Sequence, residues 1–190
     1  IQADPATGAV KHIIQYENSN YTLEFSTSGI QPTIDGNLAI MGSAVPMSGT
    51  NTPDNPGLIL LLKIRPSGEV IWCKAYEPNY LWAGLNCQFK PTSDGGFIVN
   101  LNEIQPNQPN TYIFDRILLM KLDANGEVIW KKFYPIDDQS NGNNGRFYFI
   151  TEAADHGYVA VGSISTGTSE VLLIKTDASG ETAGCCSITR

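Results

Sequence analysis

Apolar residues fall in short runs along this chain, set apart by polar stretches that contain Gly, Asp or Asn, and no stretch repeats with the period of an amphipathic helix. Residues 115–134 show the pattern in full. Asp-Arg-Ile-Leu-Leu-Met-Lys-Leu leads into the turn signal Asp-Ala-Asn-Gly, and Glu-Val-Ile-Trp-Lys-Lys-Phe-Tyr follows. Two runs rich in β-branched and aromatic residues, joined by a Gly-containing turn, predict a β-hairpin. Residues 57–76 match this hairpin position for position through Lys63 and Lys121, Gly68 and Gly126, Trp72 and Trp130, and Tyr76 and Tyr134. Residues 170–180 repeat its first half with Lys175 in register, and residues 8–16 repeat its second half.

A second pattern alternates with the hairpin: an apolar segment, an Asp-Gly turn and an alternating strand. It runs through residues 21–25, Asp35 and 38–44, then 81–89, Asp94 and 97–101, then 147–150, Asp155 and 158–164. Strand A follows the Asp-Gly turn, strand B is the apolar run, strand C ends in Trp-x-x-x-Tyr, and strand D leads to the next Asp-Gly. These four recur at a spacing of about sixty residues. Strand B is apolar on both faces, so both faces must be covered. The expected fold is therefore all-β, a β-propeller of four-stranded antiparallel blades with about three blades in this chain. Another stacked β-repeat array is the alternative. Residues 1–190 read as one repeat domain that begins and ends within a blade, either as part of a longer propeller or as half of a dimeric one.

Asp-Gly-Gly-Phe-Ile-Val at 94–99, followed by Leu-Leu-Met-Lys-Leu-Asp-Ala-Asn-Gly-Glu-Val-Ile-Trp-Lys-Lys-Phe-Tyr at 118–134, resembles the blades of large secreted and cell-surface bacterial β-propeller repeat proteins. It is more loosely similar to quinoprotein-type and Kelch-like blades. The resemblance implies the architecture and a secreted or cell-surface location, and leaves the activity open, because the fold hosts binding, scaffolding and catalysis alike. The sialidase Asp-box is also similar, but Asp123 stands one residue too far from Gly126 to match it.

Charge narrows the partners. A net charge of −7 opposes nucleic acid and anionic membrane surfaces, and no apolar window is long enough for a membrane span. Asp123 and Asp177 are expected to cap their turns, and Lys63, Lys121 and Lys175 to lay their stems on apolar surface with the amine in water. Asp137, Gln139 and Asn141 fall at the first, third and fifth positions of a calcium loop, but Tyr148 stands where its bidentate Glu belongs, so a plain loop competes with calcium as the reading. No other cofactor is implied. Cys73 on strand C and Cys87 on strand D are expected to face each other and form a disulfide in an oxidising compartment, while Cys185 and Cys186 are too close in sequence to bond without strain.

His12 and His156 supply neither a catalytic triad nor a metal cluster. The A–B and C–D connections differ in length and composition while the strands stay alike, which places recognition on that end of the blades. Tyr80, Trp82 and Tyr112 beside Asn-rich segments suit a glycan or protein surface. The expected function is a non-catalytic extracellular interaction or structural module, partnered by a glycan or protein and by further blades or a second copy. The alternative is a polysaccharide-acting hydrolase or lyase with acidic residues at the central channel.

Overall fold

The short Asp-Gly and Asp-x-x-Gly turns each close a hairpin, and these hairpins account for most of the architecture. The structure, a computed structural model, describes residues 2–4, 6–17, 19–46, 57–77, 87–108, 111–135, 146–165 and 169–182. Their regular secondary structure is all strand: β1 (Gln2–Ala3), β2 (Val10–His12), β3 (Tyr21–Pro32), β4 (Leu38–Pro46), β5 (Leu58–Ile64), β6 (Val70–Tyr76) and β7 (Gln88–Pro91). β8 (Phe97–Gln108), β9 (Thr111–Leu122), β10 (Val128–Pro135), β11 (Arg146–Glu152), β12 (Tyr158–Ser165) and β13 (Ser169–Lys175) complete the order. They form a first sheet β3-β4-β5-β6, a second sheet β7-β8-β9-β10, a third sheet β11-β12-β13 and a small hairpin β1-β2. Every pairing is antiparallel.

The four recurring strands are those expected, but they are grouped differently. Strand D opens the sheet of the strand A that follows it, so each full sheet runs D-A-B-C and strands C and D do not pair. Turn length explains this. A tight turn at residues 92–96 folds β7 directly onto β8, whereas β6 and β7, with eleven residues between them in sequence, belong to different sheets.

The sheets stack face to face. Ala39, Met41, Ile59 and Leu61 of the first sheet pack on Phe97, Val99, Leu118, Met120 and Leu122 of the second in one core. The opposite face of the second sheet, with Ile98, Ile117 and Leu119, packs on Phe147, Ile150, Tyr158, Leu172 and Ile174 in another. β9 thus alternates its side chains between two cores, as a pleated strand must, and Ile117, Leu118, Leu119, Met120 and Leu122 are all essentially buried. Each such side chain contributes about 1.5–3 kcal/mol of transfer free energy, which makes the second sheet the centre of the molecule. A third cluster covers the outer face of the first sheet, where Tyr16 packs with Leu38, Leu60, Leu62 and Ile64. Between sheets the close approaches are made by opening strands: β3 lies on β7, and β11 lies on β7, β8 and the edge of β9.

Candidate functional site

At the turn of the second sheet Thr92 donates its hydroxyl to Asp94 Oδ1 at 2.5 Å, and the Gly96 amide reaches the same oxygen at 3.0 Å. Lys121, one strand away, completes the cluster: its Nζ lies 2.8 Å from Asp94 Oδ2, 3.0 Å from Thr92 Oγ1 and 2.9 Å from the Leu122 carbonyl. A Cβ on Gly96 would stand 2.2 Å from that carbonyl and 2.6 Å from the amine, so glycine is the residue that lets the lysine in. The first sheet repeats the arrangement with Lys63 and Asp35 at 2.8 Å and Thr33 donating to Asp35. The third repeats it with Lys175 and Asp155 at 2.7 Å, Ala153 replacing the threonine. There His156 takes the left-handed position at φ 61°, which Gly36 and Gly95 hold in the other two turns.

Lys63 and Lys121 are only 6% and 4% exposed, which corrects the expectation of wet amines; each is buried because a carboxylate meets it. Partial burial pushes Asp94 up, but hydrogen bonds from Lys121, Thr92 and Gly96 and the charge of Lys121 outweigh it and bring the carboxyl down to about 2. Lys63, followed by Thr33, holds Asp35 well below the usual carboxylate range, and Lys175 with the Gly157 amide lowers Asp155. These ion pairs are consumed by the fold. An ammonium held by three acceptors, as Lys121 is, and a carboxylate held ionised are not themselves free to act as nucleophile or general acid.

The other turns join one sheet to the next. Tyr16, Tyr76 and Tyr134 donate their hydroxyls to the carbonyls of Gly68, Gly126 and Gly180, at 2.7, 2.8 and 2.5 Å. Trp72 meets Phe97 edge to face and Trp130 meets Tyr158 in the same way, with ring centroids 5.9 and 5.8 Å apart. Lys74 pairs with Glu127, and Lys132 with Glu181, across the same two seams. In the first seam Ile14 lies on Gly68 at the lysine position, and Glu69 pairs with Arg65 instead. Asp123 and Asp177 cap their turns as expected: Asp123 Oδ1 accepts the amides of Asn125 and Glu127, and Asp177 Oδ1 that of Glu181, each at 2.8 Å. Asn102 clamps the edge of the third sheet by giving to the Phe147 carbonyl and accepting from its amide.

Ser93, Glu152 and His156 meet between the second and third sheets and are the residue types of a hydrolase triad. Glu152 accepts from the Ser93 amide at 2.6 Å and from its hydroxyl at 2.7 Å, and His156 Nδ1 lies 3.0 Å from Glu152 Oε1 and 3.2 Å from Ser93 Oγ. A proton relay needs the serine and the carboxylate on opposite ring nitrogens, whereas here both lie on Nδ1 and the serine proton goes to the carboxylate. The trio is a polar seam.

Cys73 and Cys87 are free thiols, a correction that follows from the strand grouping: β6 and the segment leading into β7 belong to different sheets, so no ladder brings the two together. Cys73 is exposed and Cys87 is buried in the first core, where burial pushes its thiol up to about 12. Tyr80 and Trp82 lie outside the described residues, as do Asp137, Gln139 and Asn141 of the calcium reading. Tyr112 is on β9 opposite Pro106, and its side chain is outside the described part. Among the described residues no group of three or more His, Cys, Asp or Glu could hold a metal ion. The lysine–aspartate locks went unforeseen, although Lys and Asp recur together in every unit, and that joint recurrence is the signal that pairs them.

At the opposite end the second hairpin is described almost to its tip, with β8 and β9 of 12 residues each, whereas the first is described up to residue 46 and from residue 57 and the third up to residue 165 and from residue 169. All three hairpins are anchored at their lysine end, and the second is paired out to Gln108 and Thr111 with its register shifting twice, at Glu103/Gln105 and at Pro106/Gln108. No family model matches the chain, and no curated protein matches it.

Proposed function

We propose that the chain is a β-propeller-type repeat module, secreted or displayed at a cell surface, that serves without catalysis as a scaffold and binds a protein or glycan through the end opposite its lysine–aspartate turns. Three kinds of support bear on the architecture: the D-A-B-C sheets recur, they share cores face to face, and they approach each other through their opening strands, as blades do around an axis. The location rests on the resemblance to secreted and surface propeller repeats. The observation that carries the binding end is the β8–β9 hairpin, paired out to Gln108 and Thr111 through two register shifts, with Tyr112 on its backbone. Its counterpart end is closed by internal ion pairs in all three sheets.

The test replaces residues 103–116 by a two-residue Asn-Gly turn closing Asn102 onto Ile117, and screens both proteins on a glycan array and by pull-down. Loss of the captured ligand with an unchanged far-ultraviolet circular dichroism spectrum is the expected result. Full retention of binding by the shortened protein would refute the assignment of this end.

A further inference from the structure

The β8–β9 hairpin changes its chemistry along its length. Its lysine end carries Asp94, Lys121 and Asp123. Farther along, Glu103 stands opposite Arg116 in the ladder, and residues 104–114 beyond that pair hold no Asp, Glu, Lys, Arg or His. Carboxamides and rings take the place of charge: Gln105, Asn107 and Gln108 on β8, and Tyr112 and Phe114 on β9.

The register places two of these positions together. Pro106 pairs with Tyr112 and Gln105 with Ile113, so Pro106 and Tyr112 share one face of the ribbon and Gln105 and Ile113 the other. The two register shifts bracket this stretch, one on each side. A bulge interrupts the ladder and adds local twist, so the short piece between two of them is set off from the regular sheet. Proline and tyrosine are also residues that lose little side-chain freedom when a ligand settles on them.

We propose that the Pro106–Tyr112 face binds a neutral saccharide, with the tyrosine ring as a stacking surface for the C–H side of a sugar and the carboxamides of the same hairpin as partners for its hydroxyls. The donors and acceptors match without any net charge: a carboxamide offers both N–H donors and a carbonyl acceptor, and a sugar hydroxyl both gives and accepts. The ring supplies an apolar body for the part of the sugar that has no hydroxyl. A uronate or sulfated chain finds no cation in residues 104–114 and meets the field of a molecule of net charge −7. A protein partner is matched less well, because such contacts centre on aromatic and arginine anchors, and the arginine of this hairpin stands opposite Glu103. The inference rests on the reading that this end of the sheets is the binding end.

Titration of the whole chain with soluble glucan, mannan, galactan and chitin oligosaccharides, and with oligogalacturonate as the charged control, gives the dissociation constants. Binding of at least one neutral oligosaccharide, indifferent to added salt, and none of oligogalacturonate are expected. Tyr112→Leu keeps an apolar side chain but no ring and should weaken binding by at least about tenfold, while Tyr112→Phe should change it by no more than about threefold. Both variants should keep the wild-type far-ultraviolet spectrum. A Tyr112→Leu protein that binds as the wild type does, while the protein shortened at residues 103–116 does not, overturns the stacking face and leaves the binding end in place. Neutral-saccharide binding that survives the shortening overturns both. Binding of oligogalacturonate alone, capture of a protein by the hairpin with no saccharide bound, or no binding to any of the four neutral probes overturns the neutral saccharide.

Discussion

Lys121 and Asp94 show how one residue pair fixes a turn. The lysine is buried, and its three acceptors all come from the turn or from its own strand, while the aspartate side chain keeps 56% of its exposure. The two partners are therefore unequal. Asp94→Ala removes the anion and leaves an ammonium buried against a hydroxyl and a carbonyl, an uncompensated charge worth about 2 kcal/mol. Lys121→Met keeps the apolar stem and returns Asp94 to water, where it needs no partner. Urea unfolding should show Asp94→Ala to be the more destabilised of the two, and the reverse order would mean that the carboxylate, not the ammonium, is the group that burial strains. The same logic places Gly96 beside them, since any side chain there would occupy the position of the amine.

At the scale of the element, the tyrosine strut is the recurring joint. Tyr76 and Tyr134 sit at the ends of β6 and β10, and each gives its hydroxyl proton to the carbonyl of a turn in the next sheet, with burial raising the Tyr76 hydroxyl far above its ordinary value. Tyr76→Phe and Tyr134→Phe should each cost about 1 kcal/mol, the net worth of one neutral hydrogen bond. The two costs should add, because the joints lie on opposite sides of the second sheet and share no partner. Chemical denaturation of both single variants and the double variant checks this, and a double variant no worse than either single one would show that only one joint bears load. These joints were partly legible in the sequence: the Trp-x-x-x-Tyr pattern, the turn glycines and the capping roles of Asp123 and Asp177 all recur visibly. The grouping into D-A-B-C was not read, because a repeat fixes a period and leaves its starting point open. Turn length fixes that point. With strand D taken to follow C in one ladder, Cys73 and Cys87 were expected to meet, and the structure instead leaves one exposed and one inside the first core. The lysines were read singly as amphipathic stems, and only the fold shows that the aspartate of a different turn lies within reach of each.

For the molecule as a whole, the locks make stability depend on pH in one direction. Asp35, Asp94, Asp155, Asp177 and Glu152 all have folded-state carboxyls below their ordinary values, held there by lysines, hydroxyls, backbone amides and, for Glu152, His156. As pH falls, the unfolded chain takes up protons first, near about 4, while the folded chain resists until lower pH, about 2 for Asp94. The stabilisation is therefore whole at neutral pH, begins to fall as pH drops below about 5, and is gone once the folded carboxyls are protonated. The urea midpoint at a fixed protein concentration should be level from about pH 7 to pH 5 and then decline steeply toward pH 2. Replacing Asp35, Asp94 and Asp155 together by Asn removes the titrating member of each lock. That variant should start from a lower midpoint at neutral pH, where the lysines have lost their counter-charges, and should follow a shallower acid limb that converges on the wild type near pH 2. Parallel curves for the two proteins would place the acid sensitivity in other carboxylates, and the locks would then be packing features with no part in the pH response.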